Sequence, residues 1–254
     1  MFAIEELARA PEQRSSGLII TAIVLGGLVA VSAHGNATYF GVIHIGAIGT
    51  ALLLPGLVVA LCTGVAGGLF SRLMIASTAG LGVDAMSRLR ARRPVLFGAL
   101  CGLIVAIIGL VTANSTFGSG YAPTKSMVDG VATMPMMYAL FKFLATWLST
   151  WSGVPGGIFA PSLAIGAALG NDVAVAFFQT QAPALIALGM VGFLAAATQA
   201  PLTAFIIVME MVDGHAMVLS LMACALVATA LARIISPPLY PSLARMQLAR
   251  AGMG

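Results

Sequence analysis

Between Trp151 and Leu169 an apolar sequence breaks at Ser152-Gly153-Val154-Pro155-Gly156-Gly157 and resumes as Ile158-Phe159-Ala160-Pro161-Ser162-Leu163. Pro155 and the paired glycines disfavour a continuing helix, whereas the small apolar residues from Ile158 onward can open a new one. The stretch reads as a helix N-terminus set inside the membrane. The first N–H groups of a helix have no intrahelical partner and carry roughly half a positive charge, so they suit an anion without any charged side chain. A transmembrane helix kinked at this point and packed through its glycines is the competing reading.

Few other side chains are suited to chemistry. His34, His44 and His215 stand singly, and neither an HExxH pattern nor a nucleophile motif occurs, so no catalytic residue, metal site or cofactor is expected. Cys62, Cys101 and Cys224 each lie alone in apolar sequence and read as small buried hydrophobes. Glu5-Glu6 has the look of a solvated helix end in which one like charge can raise the pKa of the other. Glu210, in Met209-Glu210-Met211-Val212-Asp213, borders apolar sequence and is expected at an interface or in a structural hydrogen bond. Tyr240, taken alone, is an interfacial aromatic anchor.

The elements that must position the Gly-Pro stretch are membrane helices. The 254 residues are 60% hydrophobic and 8% charged, with mean hydropathy +1.04, which excludes an ordinary soluble fold. The formal charge of +4 gathers in short loops without interleaved aromatics, so the basic residues mark orientation and no nucleic acid partner is expected. No signal peptide opens the chain, because Met1 to Ile4 leads into Glu5 and Glu6, as in the tail of a helix begun upstream.

After a polar turn within residues 1–15, apolar runs at Gly17 to Ala33 and Ile48 to Met74 reach the ~17 to 25 residues that a bilayer span requires. Glycines 26, 27, 64, 67 and 68 suit close helix contact. The loop from Asp84 to Arg93 holds Arg88, Arg90, Arg92 and Arg93, and a short arginine-rich loop stays cytoplasmic. That puts the 34–47 loop outside. A third span, Val95 to Ala113, returns outward to a flexible 114–120 connection. Residues 121–135 are expected as a surface or re-entrant piece, and Met136 to Thr150 as an apolar helix carrying Lys142. Beyond the Gly-Pro stretch, Ala160 to Leu169, Asn171-Asp172 and Val173 to Phe178 read as separate short pieces, followed by Ala184 to Thr198 and Pro201 to Met211. Short apolar segments interrupted by Gly and Pro point to a transporter's binding site. Ala216 to Ile235 is the last span, with Arg245 and Arg250 beyond it on the cytoplasmic side.

Gly156 to Leu163, with Ala164-Ile165-Gly166-Ala167 after it, resembles the GGIFxPSLxxGA signature of the CLC chloride channels and anion transporters. Phe2-Ala3-Ile4-Glu5-Glu6, Ala200-Pro201-Leu202-Thr203 leading to Glu210-Met211, and Pro238-Leu239-Tyr240 before Leu243-Ala244-Arg245 fall in the family's order. The resemblance implies an all-α membrane fold of tilted, broken helices in two inverted halves. Residues 1–15 would be the end of a first-repeat helix with a cytoplasmic turn. Residues 16–254 would be the last part of the first repeat and the whole second repeat, with no cytoplasmic regulatory domain. The family's GSGIP-type loop and the GREGP-type loop with its gating glutamate do not occur in these residues, so the chain alone is expected to hold one wall of an anion path and not to transport by itself.

By the same resemblance, Gly157, Ile158, Phe159 and Ala160 form the helix-terminus anion site, the ligands being the backbone N–H groups of the last three. The Tyr240 hydroxyl would donate to the central anion. Glu6 would pass protons, as in the exchanger branch. The expected function is antiport of chloride or a similar small anion against protons, by a homodimer in the lipid bilayer of a bacterial inner (plasma) membrane. The alternatives are a passive chloride channel and a half-size membrane protein that only pairs with a partner. The family's dimer helices map to Gly17 to Ala33, Ile48 to Met74 and the last two apolar segments.

Overall fold

The computed structural model describes residues 13–35, 38–43, 50–79, 85–154, 156–178 and 181–250, and all its regular structure is helical. Glu5, Glu6 and His44 lie outside the described residues. The helices run α1 (Gln13–His34), α2 (Leu53–Ala79), α3 (Ala85–Arg92), α4 (Pro94–Val111), α5 (Tyr121–Val128), α6 (Met137–Trp151), α7 (Phe159–Ala176), α8 (Ala182–Thr198), α9 (Pro201–Met211), α10 (Val218–Ile235) and α11 (Leu239–Arg250). Among the described residues, α2, α4, α7 and the stretch His215–Ile235 are long and apolar enough to cross a membrane.

The core is built around α8, whose residues from Ala184 to Thr198 are all buried. A helix apolar on every face belongs in an interior, and α2, α7, α9 and α10 surround this one. Small residues allow the approach. Gly64 and Gly68 of α2 face Ala228 and Ala232 of α10, and a Cβ on Gly67 would lie 2.6 Å from the Ala196 Cβ of α8. The close packing expected of glycines 64, 67 and 68 is therefore internal to the chain. Gly26 and Gly27 meet nothing within 4 Å, and α1 is exposed throughout from residue 20 to residue 33.

Two hydroxyls fasten the C-terminal end of α8, where carbonyls have spare accepting capacity. Ser71 Oγ donates to the Ala197 carbonyl at 2.7 Å and Thr229 Oγ1 to that of Ala195 at 3.2 Å. A strap at 38–43 gives the end of α9 its donors, Phe40 N to Met211 O at 2.9 Å and Ile43 N to Val212 O at 3.0 Å.

Residues 121–135 begin with the short helix α5, whose Thr124, Met127 and Val128 are buried. Three expectations are corrected. The arginine-rich loop is largely a helix, α3, since Ala, Met, Leu and Arg are good helix formers. The pieces after Ala160 are one continuous α7, because the buried Asn171 reaches the Met134 carbonyl with its Nδ2 at 3.4 Å and needs no break in the helix. Cys62 is exposed on α2, whereas Cys101 and Cys224 are buried as expected.

Candidate anion-binding site

The site begins where α6 ends. Ser152 N donates to Leu148 O at 2.9 Å, and Gly153, at φ +86°, takes the left-handed turn that closes the helix. The chain continues through Val154, Gly156 and Gly157 without regular structure to Ile158, the N-cap of α7. The first helical bond recorded there is Ser162 N to Ile158 O at 3.0 Å, and Pro161 has no N–H to give. The N–H groups of Ile158, Phe159 and Ala160 thus have no partner among the described residues. No side chain caps the helix either. Ser162 Oγ, the nearest candidate, turns backward to donate to Ile158 O at 2.7 Å.

Ile158 anchors this end in a buried apolar cluster with Phe70, Met74, Phe193 and Leu239, and Tyr240 packs against the same cluster. The sequence that carries Tyr240 there is short and constrained. Ser236 is extended (φ −143°, ψ 145°), and its carbonyl accepts Gln199 Nε2 at 2.8 Å, which ties the end of α10 to the turn after α8. Pro237-Pro238 follows, and the fully buried Leu239 opens α11 with Tyr240 half-buried beside it. Tyr240 thus packs against the same buried cluster as Ile158, while α11 itself lies against α2 and α8.

Depth and direction of α7 are set by its crossing with α8. A Cβ on Gly166 would run into the Gly189 carbonyl, one on Gly189 into the Gly166 carbonyl, and one on Gly170 into the Leu185 carbonyl. Three glycines put backbone against backbone, so α7 has little freedom to shift.

A cavity of about 380 Å³ opens beside the site, lined by Gly156, Gly157 and Pro161 and by Thr146 and Ser149 of α6 with Ser152 just beyond that helix. Tyr240 is not among its lining residues. Lys142 also lines it, a buried lysine whose Nζ donates to the Thr116 carbonyl at 2.9 Å and the Gly118 carbonyl at 2.7 Å, pinning the turn after α4. The sequence assigns Lys142 no role. Arg90, in sequence only a topological mark, has a structural one: its Nη1 donates to Ser77 O at 2.9 Å and Nη2 lies 3.7 Å from where a Cβ on Gly153 would sit. Glu210 is exposed near the end of α9.

Apolar helices interrupted at a Gly-Pro turn, with a helix end left open inside the bundle, define a multi-pass integral membrane protein. Residues 1–233 match the family model described as voltage gated chloride channel, and the chain belongs to that family. The match ends within α10, before Tyr240. A solved structure described as a CLC-type fluoride/proton antiporter is similar in fold, with a TM-score of 0.64 at 21% identity, over 80% of this chain and 49% of that one. The chain thus spans about half the length of that structure.

Proposed function

We propose that the open end of α7 binds the anion moved by a CLC-type transporter, with the N–H groups of Ile158, Phe159 and Ala160 as ligands and the Tyr240 hydroxyl as an added donor. The observation that carries this reading is the uncapped start of an 18-residue helix, with the N–H groups of Ile158, Phe159 and Ala160 unpartnered among the described residues. Chloride, as the family's name indicates, is the preferred anion, and Glu6 is the proton carrier of chloride/proton antiport. The acid at Glu6 is what favours exchange over a passive channel. A homodimer fits the same reading, since α1 is exposed from residue 20 to residue 33 and available there to a second copy.

Chloride titration of the purified chain in detergent, followed by isothermal calorimetry, tests the site. Tyr240→Phe is expected to weaken binding about fivefold, the loss of one hydrogen bond worth about 1 kcal/mol. Equal affinities would remove Tyr240 from the site, and a chain that takes up no chloride at all would overturn the proposal.

The exchange reading is tested separately in proteoliposomes of the assembled transporter. There Glu6→Gln is expected to stop proton movement and spare chloride flux, while unchanged proton coupling would exclude Glu6.

A further inference from the structure

The other concentration of charge lies on α3. Arg88 and Arg92 stand four residues apart, on one face of that helix. Arg93 follows as the N-cap of α4, which begins at Pro94 without a side-chain cap. Arg88, Arg92 and Arg93, with Leu89, line a cavity of about 290 Å³. Phe97 N already donates to Arg93 O at 3.0 Å, so the N–H groups at the start of α4 without a partner among the described residues are those of Val95 and Leu96.

Two features fix what this cavity faces. Arg90, on the same helix, turns inward to the Ser77 carbonyl, and Trp147 Nε1 donates to Ser77 Oγ at 3.3 Å. Trp147 stacks on Trp151 with centroids 5.0 Å apart, and Phe97 packs edge-on to Trp151 at 5.1 Å. Tryptophans gathered at one end of membrane helices mark the headgroup level. Directly beyond the arginines, the outer face of α4 is apolar and bare, with Val95 at 85% and Leu103 at 58% exposure. Cationic forks at headgroup depth, followed by a naked apolar helix face, match a molecule with a phosphate at one end and hydrocarbon at the other. A soluble phosphate would use only the first half of that surface.

We propose that Arg88, Arg92 and Arg93 at the α3–α4 junction bind the headgroup phosphate of an anionic lipid of the cytoplasmic leaflet, whose acyl chains lie along α4. The site stands independently of the anion reading of α7.

Native mass spectrometry of the full chain in detergent, titrated with phosphatidylglycerol or phosphatidylcholine, reads the preference. At about fivefold per arginine near a membrane surface, phosphatidylglycerol should be held on the order of a hundredfold more tightly. R88Q/R92Q/R93Q is expected to lose that preference. R88K/R92K/R93K keeps the charge that orients the chain and lacks the planar fork, so it should lose part of it. The lysine variant carries the test if the glutamine variant does not fold, and R245Q should behave as the parent. Equal retention of the two lipids by the parent, or full preference in either triple variant, overturns the proposal. So does displacement of phosphatidylglycerol by millimolar inorganic phosphate, which would make this a site for a soluble anion.

Discussion

Gly166→Leu is expected to remove the folded chain, and with it every property of the α7 end. The substitution puts a branched side chain where the Gly189 carbonyl already stands, and the Met190 Cα lies 2.9 Å from the new Cβ alone. Overpacked cores usually lose about 1–3 kcal/mol through rotamer and backbone shifts. Here no rotamer relieves the clash, since the obstacle is backbone. The α7 and α8 helices must separate, which opens the most buried element of the molecule. A cost of at least about 3 kcal/mol is a large share of the roughly 5–15 kcal/mol that holds a domain together. Size-exclusion profile and thermal midpoint in detergent check this, with Gly26→Ala as the contrast. Gly26 meets nothing within 4 Å, so alanine should be neutral or raise the midpoint slightly. A monodisperse Gly166→Leu chain with the parent's midpoint would show that the α7–α8 crossing is not the clamp described above.

That crossing also shows what could be read from the residues and what could not. Gly166-Ala167-Ala168-Leu169-Gly170 carries the spacing of close helix contact, yet the sequence does not say which helix fills the groove. The answer, Gly189 on α8, depends on tertiary pairing. The start of α7 was legible because Gly156, Gly157 and Pro161 act locally on the backbone. So were both ends of α9, where Pro201 opens the helix and Val212-Asp213 ends the apolar run. Asn171-Asp172 misled because a polar pair in apolar sequence looks like a boundary, and only the fold supplies Asn171 with the Met134 carbonyl. The exposure of Cys62 was hidden for a more general reason. A helix in lipid is apolar on the side facing its neighbours and on the side facing hydrocarbon, so the 3.6-residue pattern that sorts buried from exposed disappears. Lys142 was the reverse case. A lone cation in an apolar helix signals a role, but the carbonyls it serves, Thr116 and Gly118, lie more than twenty residues away and in no recognisable motif.

Replacing the peptide N–H of Phe159 with an ester oxygen should weaken chloride binding by about tenfold to a hundredfold, the loss expected for one charge-assisted bond of about 1.5–3 kcal/mol. The same exchange at Ala160 should act alike. No truncation of a side chain can make this test, because the proposed ligands are backbone groups and the nearest hydroxyl, Ser162 Oγ, is committed to Ile158 O. An ester at Ser162 provides the control. Its N–H already donates to the Ile158 carbonyl, so removing it weakens the first turn of α7 and lowers stability without withdrawing a free donor. Chloride calorimetry and thermal unfolding, measured on the three esters, separate the two effects. Lost affinity at Phe159 and Ala160 with affinity kept at Ser162 is the expected pattern. Equal losses at all three would mean that helix integrity alone matters. Unchanged affinity at Phe159 and Ala160 would place the anion elsewhere, since a site made of these N–H groups cannot lose one of them and bind as before.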